Sequence, residues 1–258
     1  MLSQIEKPAT DIASLDHWES VWKKKRSARR VSRLSYYDHR VAKLFHSLVG
    51  PQSRVLEIGC GGSRWIGFFD REIGCETWGI DYSPAGLRIT EESNAGRPGV
   101  HLVAGDFFDE SLLPGDYFDF IFSRGVIEHY ADPTVVTRRI AQTLRPGGKV
   151  LTLIPNFVGL YGEIQKRVDP DIFDKHVVMD CGNLDLPHVA ANLQPVMPAQ
   201  FWGCFAPGVV NYGSKARFLL PPVKLAQQLV CWPLGFLHLD FESRLASPYI
   251  VGIYQKQE

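Results

Sequence analysis

Glycine and acidic residues follow two short apolar runs in the first third of the sequence. The run 54–58 leads directly into Gly59 and Gly61, and the run 77–80 ends at Asp81, which lies 22 residues after Gly59. Glycines directly after a strand allow a tight turn and let a ligand approach the main chain, and the following helix offers unpaired N–H groups. A carboxylate at this spacing can accept both hydroxyls of a ribose. The pattern predicts a site for a nucleoside-containing ligand.

The spacing of the glycines disfavours a dinucleotide as that ligand. The dinucleotide fingerprint G-x-G-x-x-G needs three glycines, and Gly59 and Gly61 fit its first two positions, whereas Arg64 stands at the third. A bulky side chain there opposes the close packing of helix on strand that the third glycine provides. An NAD-dependent dehydrogenase is therefore the least favoured alternative. A purely structural explanation of the glycines is a tight turn that binds no ligand.

Short apolar runs alternate with amphipathic segments between residues 54 and 156. Such runs are typical of parallel strands that are buried on both faces, and regular alternation of strand and helix predicts a doubly wound open sheet. Ligands of such sheets bind beyond the carboxyl ends of the strands. A last apolar run, 249–254, is typical of a closing strand. The other runs are 54–58, 77–80, 100–104, 118–122 and 149–154.

Two further strand ends carry groups that suit a nucleoside. The third predicted strand ends in Ala104-Gly105-Asp106-Phe107, which offers a carboxylate for the edge of an adenine and an aromatic ring for its face. The fourth predicted strand continues as Ser123-Arg124-Gly125-Val126-Ile127-Glu128-His129.

With these strand ends in order, the chain resembles the class I S-adenosylmethionine-dependent methyltransferases, in particular the small-molecule branch called methyltransferase type 11. The resemblance is carried by five blocks between residues 55 and 156: VLEIGCGG, GIDYS, GDF, FDFIFSRGVIEH and LRPGGKVLTLIPN. Residues 157–258 match loosely, through FDKH at 173–176 and the final SPYIVGIYQK. The resemblance implies an α/β fold with a doubly wound, mostly parallel, seven-stranded Rossmann-like sheet.

The resemblance also implies a role for each residue of the first two strand ends. Glu57, Gly59 and Gly61 are expected to form the turn under the methionine part of S-adenosyl-L-methionine. Asp81 is expected to bind the ribose hydroxyls of that cofactor. Ser63 stands where many family members have a third glycine, and a small side chain still fits there.

The remaining cofactor contacts are expected further along the chain and ahead of the first strand. Asp106 is expected at the adenine amino group, Phe107 at the adenine face, and Arg124 at the pocket wall through its backbone. Tyr37 and Arg40 are candidates for the methionine carboxylate, since a guanidinium can bind a carboxylate through two parallel hydrogen bonds.

Two histidines are the candidate catalytic residues. Methyl transfer from a sulfonium needs alignment, desolvation and, for some acceptors, a base. His129 is the first candidate because a neutral imidazole can accept a proton near pH 7, and its alternative role is to pair with Glu128 at a helix end. His176 is expected either to contact the substrate or to lie on the surface. No metal is obligatory for this chemistry, and none is expected.

The expected organisation has three parts. Residues 1–50 are predicted to form a helical N-terminal lid, 51–156 the S-adenosylmethionine-binding core, and 157–258 a substrate cap with closing strands. Trp18 and Trp22 lie four residues apart on one helical face, where they either fasten a helix to the core or close over the donor methyl. The apolar segments 201–205 and 219–237 suit a hydrophobic substrate pocket, a membrane surface or a second subunit.

Composition limits the function classes. The chain has 258 residues with 28 basic and 28 acidic side chains, so binding of nucleic acid through bulk electrostatics is not expected. The run 23–33 has seven basic residues of eleven, which keeps an RNA-modifying methyltransferase as one alternative; a non-catalytic S-adenosylmethionine-binding protein is the other. The main hypothesis is a methyltransferase of a small, apolar or aromatic metabolite.

The cysteines and the N-terminus bear on location. Five cysteines without a C-x-x-C pair are typical of reduced thiols rather than of a disulfide framework or a zinc site. The polar N-terminal stretch has no apolar signal region, and no run of about 20 apolar residues predicts a transmembrane segment. The expectation is a cytoplasmic protein, monomer or homodimer, that binds a small-molecule acceptor.

Overall fold

The chain folds around a seven-stranded sheet in the computed structural model, which describes residues 12–24, 28, 30–32, 34–203, 209–210, 220–237 and 242–258. The strands are β1 (Arg54–Ile58), β2 (Glu76–Asp81), β3 (Val100–Ala104), β4 (Phe118–Arg124), β5 (Leu144–Pro155), β6 (Leu193–Trp202) and β7 (Tyr249–Lys256). The helices are α1 (Leu15–Lys23), α2 (Tyr36–Leu48), α3 (Ile66–Phe68), α4 (Pro84–Ser93), α5 (Pro133–Thr143), α6 (Leu160–Val168), α7 (Pro170–Phe173), α8 (Cys181–Ala190) and α9 (Leu220–Phe236). Within the described chain, no helix has both the length and the apolar character that a membrane crossing requires.

The order of the strands confirms the predicted doubly wound, mostly parallel sheet. The order is β3-β2-β1-β4-β5-β7-β6, in which the first five strands run parallel and β7 lies antiparallel between β5 and β6. The order changes direction at β1, because the chain first adds β2 and β3 on one side and then β4 and β5 on the other. The carboxyl ends of β1 and β4 therefore border the crevice in which such sheets bind ligands.

Both faces of the sheet are buried under helices. The side chains of Phe120 and Phe122 in β4 point to one face and pack against residues of α2 and α3, whereas Ile121 points to the other face and packs in the cluster with α5 and α8. Burial on both faces explains why the central strands read as continuous apolar runs.

Helix α2 belongs to the core, which corrects part of the expected lid of residues 1–50. Phe45 of α2 is fully buried, and its ring centroid lies 4.5 Å from that of Phe69, 4.9 Å from that of Phe122 and 5.1 Å from that of Trp65. The apolar face of α2 packs on the sheet. Of the described residues before residue 50, α1 is the helix that reaches the ligand crevice.

Strand β6 was not predicted from the sequence, because prolines interrupt its apolar pattern. Pro195 and Pro198 lie in β6, which pairs only with β7 and shows shifts of register beside both prolines. An edge strand tolerates proline because one side of its backbone makes no ladder hydrogen bonds. Strand β5 begins at Leu144, five residues ahead of the predicted run 149–154, and its pairing with β4 is irregular there.

Replacement of Phe45 by alanine tests the role of α2 in the core. Phe45→Ala removes a fully buried ring and is expected to lower the free energy of unfolding by about 3 to 5 kcal/mol. Phe236→Ala is the matched control, because Phe236 is 84% exposed and its loss should change that energy by less than about 0.5 kcal/mol. Urea unfolding measures both, and equal effects of the two variants would contradict the packing described here.

Candidate functional site

A cavity of about 320 Å³ lies at the carboxyl ends of the parallel strands. The carboxyl ends of the five parallel strands, helix α1, the start of β7 and the segment after α7 all contribute to its wall, so the fold brings together groups that are far apart in sequence. The predicted site residues that line it are Gly59, Gly61, Asp81, Asp106, Phe107, Arg124, His129 and His176.

Asp81 is fixed at the end of β2 by two backbone groups. The Gly61 N–H donates to Asp81 Oδ2 at 2.6 Å, and the Ser83 N–H donates to Asp81 Oδ1 at 2.7 Å. A Cβ on residue 61 would lie 2.8 Å from Asp81 Oδ2, and Gly59 has φ +69°, so the turn requires glycine at both positions. Burial raises the pKa of Asp81 to about 6, although the two backbone hydrogen bonds oppose this shift. Most of the carboxyl group is therefore ionised at pH 7.

Glu57 lies beneath the same turn and does not line the cavity. Its side chain is buried, and Glu57 Oε2 accepts a hydrogen bond from Ser63 Oγ at 2.5 Å. Ser63 Oγ in turn accepts from the backbone N–H of Trp65 at 2.9 Å. Burial raises the pKa of Glu57 to about 7. This residue supports the turn through Ser63, the serine that stands where many family members have a third glycine.

Helix α1 covers the cavity over the glycine turn. Trp18 and Trp22 both line the cavity, and the Trp22 ring lies so close to Gly61 and Gly62 that a Cβ on residue 62 would be 2.5 Å from it. The Glu19 carboxylate anchors the helix, since Glu19 Oε1 accepts from Ser83 Oγ at 2.7 Å and from the Ala85 N–H at 2.9 Å. These contacts fasten α1 over the glycine turn and place both tryptophans in the wall of the cavity.

Asp106 and Phe107 form the wall at the end of β3. Asp106 Oδ1 accepts from the Phe108 N–H at 2.9 Å, which fixes the carboxylate in the loop. The Phe107 ring is nearly buried, and the Arg139 side chain donates from Nε to the Phe107 carbonyl at 3.0 Å. A carboxylate and a ring are thus held side by side at the same edge of the sheet as Asp81.

Glu128, His129 and His176 form a cluster in the wall of the same cavity, next to Trp18. The ring centroids of His129 and His176 lie 4.4 Å apart. His129 Nδ1 lies 2.7 Å from the Lys175 carbonyl, and His176 Nδ1 lies 2.7 Å from the Ile172 carbonyl. Because a carbonyl oxygen only accepts, each Nδ1 carries the hydrogen and each Nε2 keeps its lone pair.

Burial makes both histidines weak bases. Burial lowers the pKa of His129 to about 3, with a smaller contribution from His176, and burial also lowers the pKa of His176. Both imidazoles are therefore neutral at pH 7, as a proton acceptor must be. A general base works best with a pKa near the working pH, so His129 alone is poorly tuned for that role.

The structure does not bring Tyr37 and Arg40 to the cavity. The Arg40 guanidinium donates to Glu242 Oε1 at 2.8 Å and lies 4.8 Å over the Trp202 ring. The Tyr37 ring packs against those of Trp202 and Tyr249. Both residues therefore lie behind the wall that Tyr249 forms.

Some cavity residues lay beyond the reach of the sequence patterns. Tyr249 lines the cavity because β7 inserts beside β5 and begins at the ligand edge of the sheet. Nothing in the local sequence of the last strand indicates this position. Glu128, considered only as a partner of His129, lines the cavity itself. The apolar segments 201–205 and 219–237 lie partly outside the described residues, as does the basic run 23–33.

Comparison with known proteins agrees with the fold. Residues 26–181 match the family model described as "Methyltransferase domain". That match covers more than half of the chain, and the protein belongs to this methyltransferase family.

Individual methyltransferases are similar to this chain in sequence or in structure. The chain is 28% identical to the demethylmenaquinone methyltransferase of Lysinibacillus sphaericus, over 50% of this chain and 58% of that protein. It is 30% identical to the ubiquinone biosynthesis O-methyltransferase of Cereibacter sphaeroides, over 46% of this chain and 50% of that one. The chain thus spans about half the length of these curated relatives. The geranyl diphosphate C-methyltransferase of Streptomyces coelicolor has the same fold, with a TM-score of 0.62, 10% identity, and coverage of 97% of this chain and 99% of that one.

The role of Glu19 in anchoring α1 can be tested by removing its charge. Glu19→Gln replaces the charged acceptor of two hydrogen bonds, each of the kind that contributes about 1.5 kcal/mol or more. Opening of α1 should therefore increase about 10-fold, and tryptic cleavage at Lys23 and Lys24 should accelerate by the same factor. Asp16→Asn removes one charge from the exposed side of the same helix and should leave the rate unchanged. Unchanged cleavage of the Glu19 variant would show that Glu19 does not hold the lid.

Proposed function

We propose that this protein transfers the methyl group of S-adenosyl-L-methionine to a small, apolar or aromatic metabolite. The observation that carries the proposal is the position of the Asp81 carboxylate, which is buried at the end of β2 and held against the glycine turn at Gly61. A carboxylate held in this way is a ready acceptor for the two hydroxyls of a ribose. The family match and the fold support the same activity.

The residues around Asp81 fit the cofactor. The turn at Gly59 and Gly61 leaves no room for a side chain and exposes its backbone to the cavity, which suits the methionine part. Asp106 offers a carboxylate for the adenine amino group, and Phe107 offers a ring for the adenine face. When bound, the cofactor supplies an activated methyl group on a sulfonium. The protein has to align the acceptor with that methyl group and exclude water, which Trp18 and Trp22 assist by covering the cavity.

Rings and apolar side chains around the cavity suit a flat or apolar acceptor. The aromatic residues at the end of the cavity nearest His129 are Trp18, Tyr130 and His176, and Tyr249 adds a further ring. Pockets with such walls and a few convergent polar groups bind apolar small molecules. The relatives named for demethylmenaquinone and ubiquinone biosynthesis support a quinone-related ring as one acceptor of this class. His129 and His176 are the proposed groups that receive the acceptor proton or orient the acceptor.

The location and the assembly of the protein are part of the proposal. Cys60, Cys75, Cys181 and Cys231 are free thiols in the structure, which supports a reducing compartment such as the cytoplasm. We expect a monomer or a homodimer. The alternatives are an RNA-modifying methyltransferase, for which binding to RNA would depend steeply on salt, and a protein that binds the cofactor without transferring its methyl group.

Asp81→Asn tests the cofactor site. At about 100 times its dissociation constant, S-adenosylhomocysteine should stabilise the wild-type protein by about 2.7 kcal/mol, which raises Tm by about 5 to 10 °C. The variant loses the charge that binds the ribose, and its shift should fall to about 1 °C or less. NAD should shift neither protein.

Asp119→Asn is the matched control for this experiment. Asp119 lies at the opposite end of β4, where it binds Arg54 and Arg145, so its loss should lower Tm and leave the ligand-induced shift intact. A full shift in the Asp81 variant would refute the assignment of the pocket.

A transfer assay tests the reaction itself. The full chain with radiolabelled S-adenosylmethionine should methylate at least one member of a panel of quinols, phenols and apolar amines, and Asp81→Asn should abolish the product. His176→Asn should lower kcat roughly 100-fold while the thermal shift by S-adenosylhomocysteine persists. Binding of the cofactor without transfer to any acceptor, RNA included, would favour the non-catalytic alternative.

A further inference from the structure

The cluster at the acceptor end has the composition of a metal site. Glu128, His129 and His176 each offer one ligand atom, and these atoms all lie within 4.8 Å of one another. All three side chains line the cavity. Two imidazoles and one carboxylate are a recurrent ligand set for divalent transition-metal ions, and such sites leave coordination positions open.

The carboxylate of Glu128 lacks the partners that burial requires. The residue is 2% exposed, and neither of its oxygens takes part in a hydrogen bond with any described residue. The backbone N–H groups of Val126 and Glu128 lie near the carboxylate, and no side chain of the described residues donates a hydrogen bond to it. A buried carboxylate of this kind is costly, whether it is ionised without a partner or protonated with a hydroxyl that finds no acceptor. A bound cation removes this cost.

The two imidazoles are oriented as metal ligands usually are. Each donates its Nδ1 hydrogen to a backbone carbonyl, of Lys175 for His129 and of Ile172 for His176. A metal-ligating imidazole commonly makes this second hydrogen bond, which fixes the ring and leaves Nε2 to the metal. The Val177 N–H also donates to the Glu128 carbonyl at 2.6 Å and fastens the segment after α7 to the end of β4. The three ligands therefore sit on two chain segments that are tied together.

From this geometry we propose that Glu128, His129 and His176 bind one divalent transition-metal ion, of the zinc, manganese or iron type, at the acceptor end of the cavity. The sequence alone led to the opposite expectation, that no metal is bound. The binding of the ion stands on the geometry alone, whereas its role rests on the proposed function. An ion there would coordinate an oxygen of the acceptor and lower the pKa of its hydroxyl, so that the proton leaves to water and the two histidines act as ligands rather than as bases.

Binding of Co²⁺ and Zn²⁺ to the full chain tests the proposal. After treatment with a chelator, the protein should take up one Co²⁺ per chain, with visible ligand-field absorption, and Zn²⁺ should displace it. Equilibrium dialysis should show that Glu128→Gln and His176→Asn each weaken Zn²⁺ binding by more than about 100-fold, since changes outside the ligand shell alone cost about 10- to 100-fold. His101→Asn, at a partly exposed histidine on β3, is the matched control and should bind as the wild type does.

The thermal shift by S-adenosylhomocysteine, measured on each variant, separates the two proposals. A variant that keeps this shift and loses the metal is folded and supports the site. Absence of stoichiometric Co²⁺ and Zn²⁺ binding to the wild type, or equal binding by both cluster variants, would overturn the metal proposal. If the wild-type protein binds the metal but shows no thermal shift with S-adenosylhomocysteine, the proposed function is refuted and the metal proposal stands.

Discussion

The hydrogen bond from the Gly61 N–H to Asp81 Oδ2 is the interaction on which the site depends. The parallel pairing of β1 with β2 sets Ile58 beside Ile80, so both strands deliver their following residues to the same edge of the sheet. The turn after β1 then lies so near the carboxylate that residue 61 cannot carry a side chain. The Trp22 ring packs on this turn and positions the lid. This hydrogen bond thus fixes the direction of the Asp81 carboxylate and requires glycine at residue 61. The glycine turn in turn provides the surface on which Trp22 packs.

Buried acidic groups at one edge of the sheet reveal a second constraint. Burial raises the pKa of Glu57, Asp81 and Glu128, to about 7, 6 and 8, so each carboxyl costs stability as the pH rises from its unfolded pKa towards its folded one. A fold selected for stability alone would place such groups in water. Glu57 accepts a hydrogen bond from Ser63 and Asp81 accepts two from backbone N–H groups, whereas neither oxygen of Glu128 has a partner at hydrogen-bond geometry among the described residues. This difference supports the proposed roles of Glu57 and Asp81 at a cofactor and of Glu128 at a cation.

Local patterns predicted the fold because buried parallel strands leave apolar runs. They also singled out residues that line one cavity, because each of these residues follows a strand directly. Other parts depend on tertiary contacts that no local pattern records. Strand β6 was missed because an edge strand tolerates Pro195 and Pro198. Helix α2 was expected to be part of a lid, since an amphipathic helix has the same sequence pattern whether it packs on a core or covers a cavity. Arg40 was expected at the cofactor, but Glu242, some 200 residues later, binds its guanidinium. The approach of His176 to His129 likewise depends on hydrogen bonds between segments far apart in sequence, from His129 Nδ1 to the Lys175 carbonyl and from the Val177 N–H to the Glu128 carbonyl.

The central claim is that Asp81 binds the ribose of a sulfonium cofactor at the glycine turn. A crystal structure of the full chain with S-adenosylhomocysteine tests it most directly. The account predicts both ribose hydroxyls on the Asp81 carboxylate, the adenine against Phe107, and the sulfur directed towards the end of the cavity that holds Glu128 and His129. A ligand bound elsewhere on the protein, or a ribose that makes no contact with Asp81, would contradict the account.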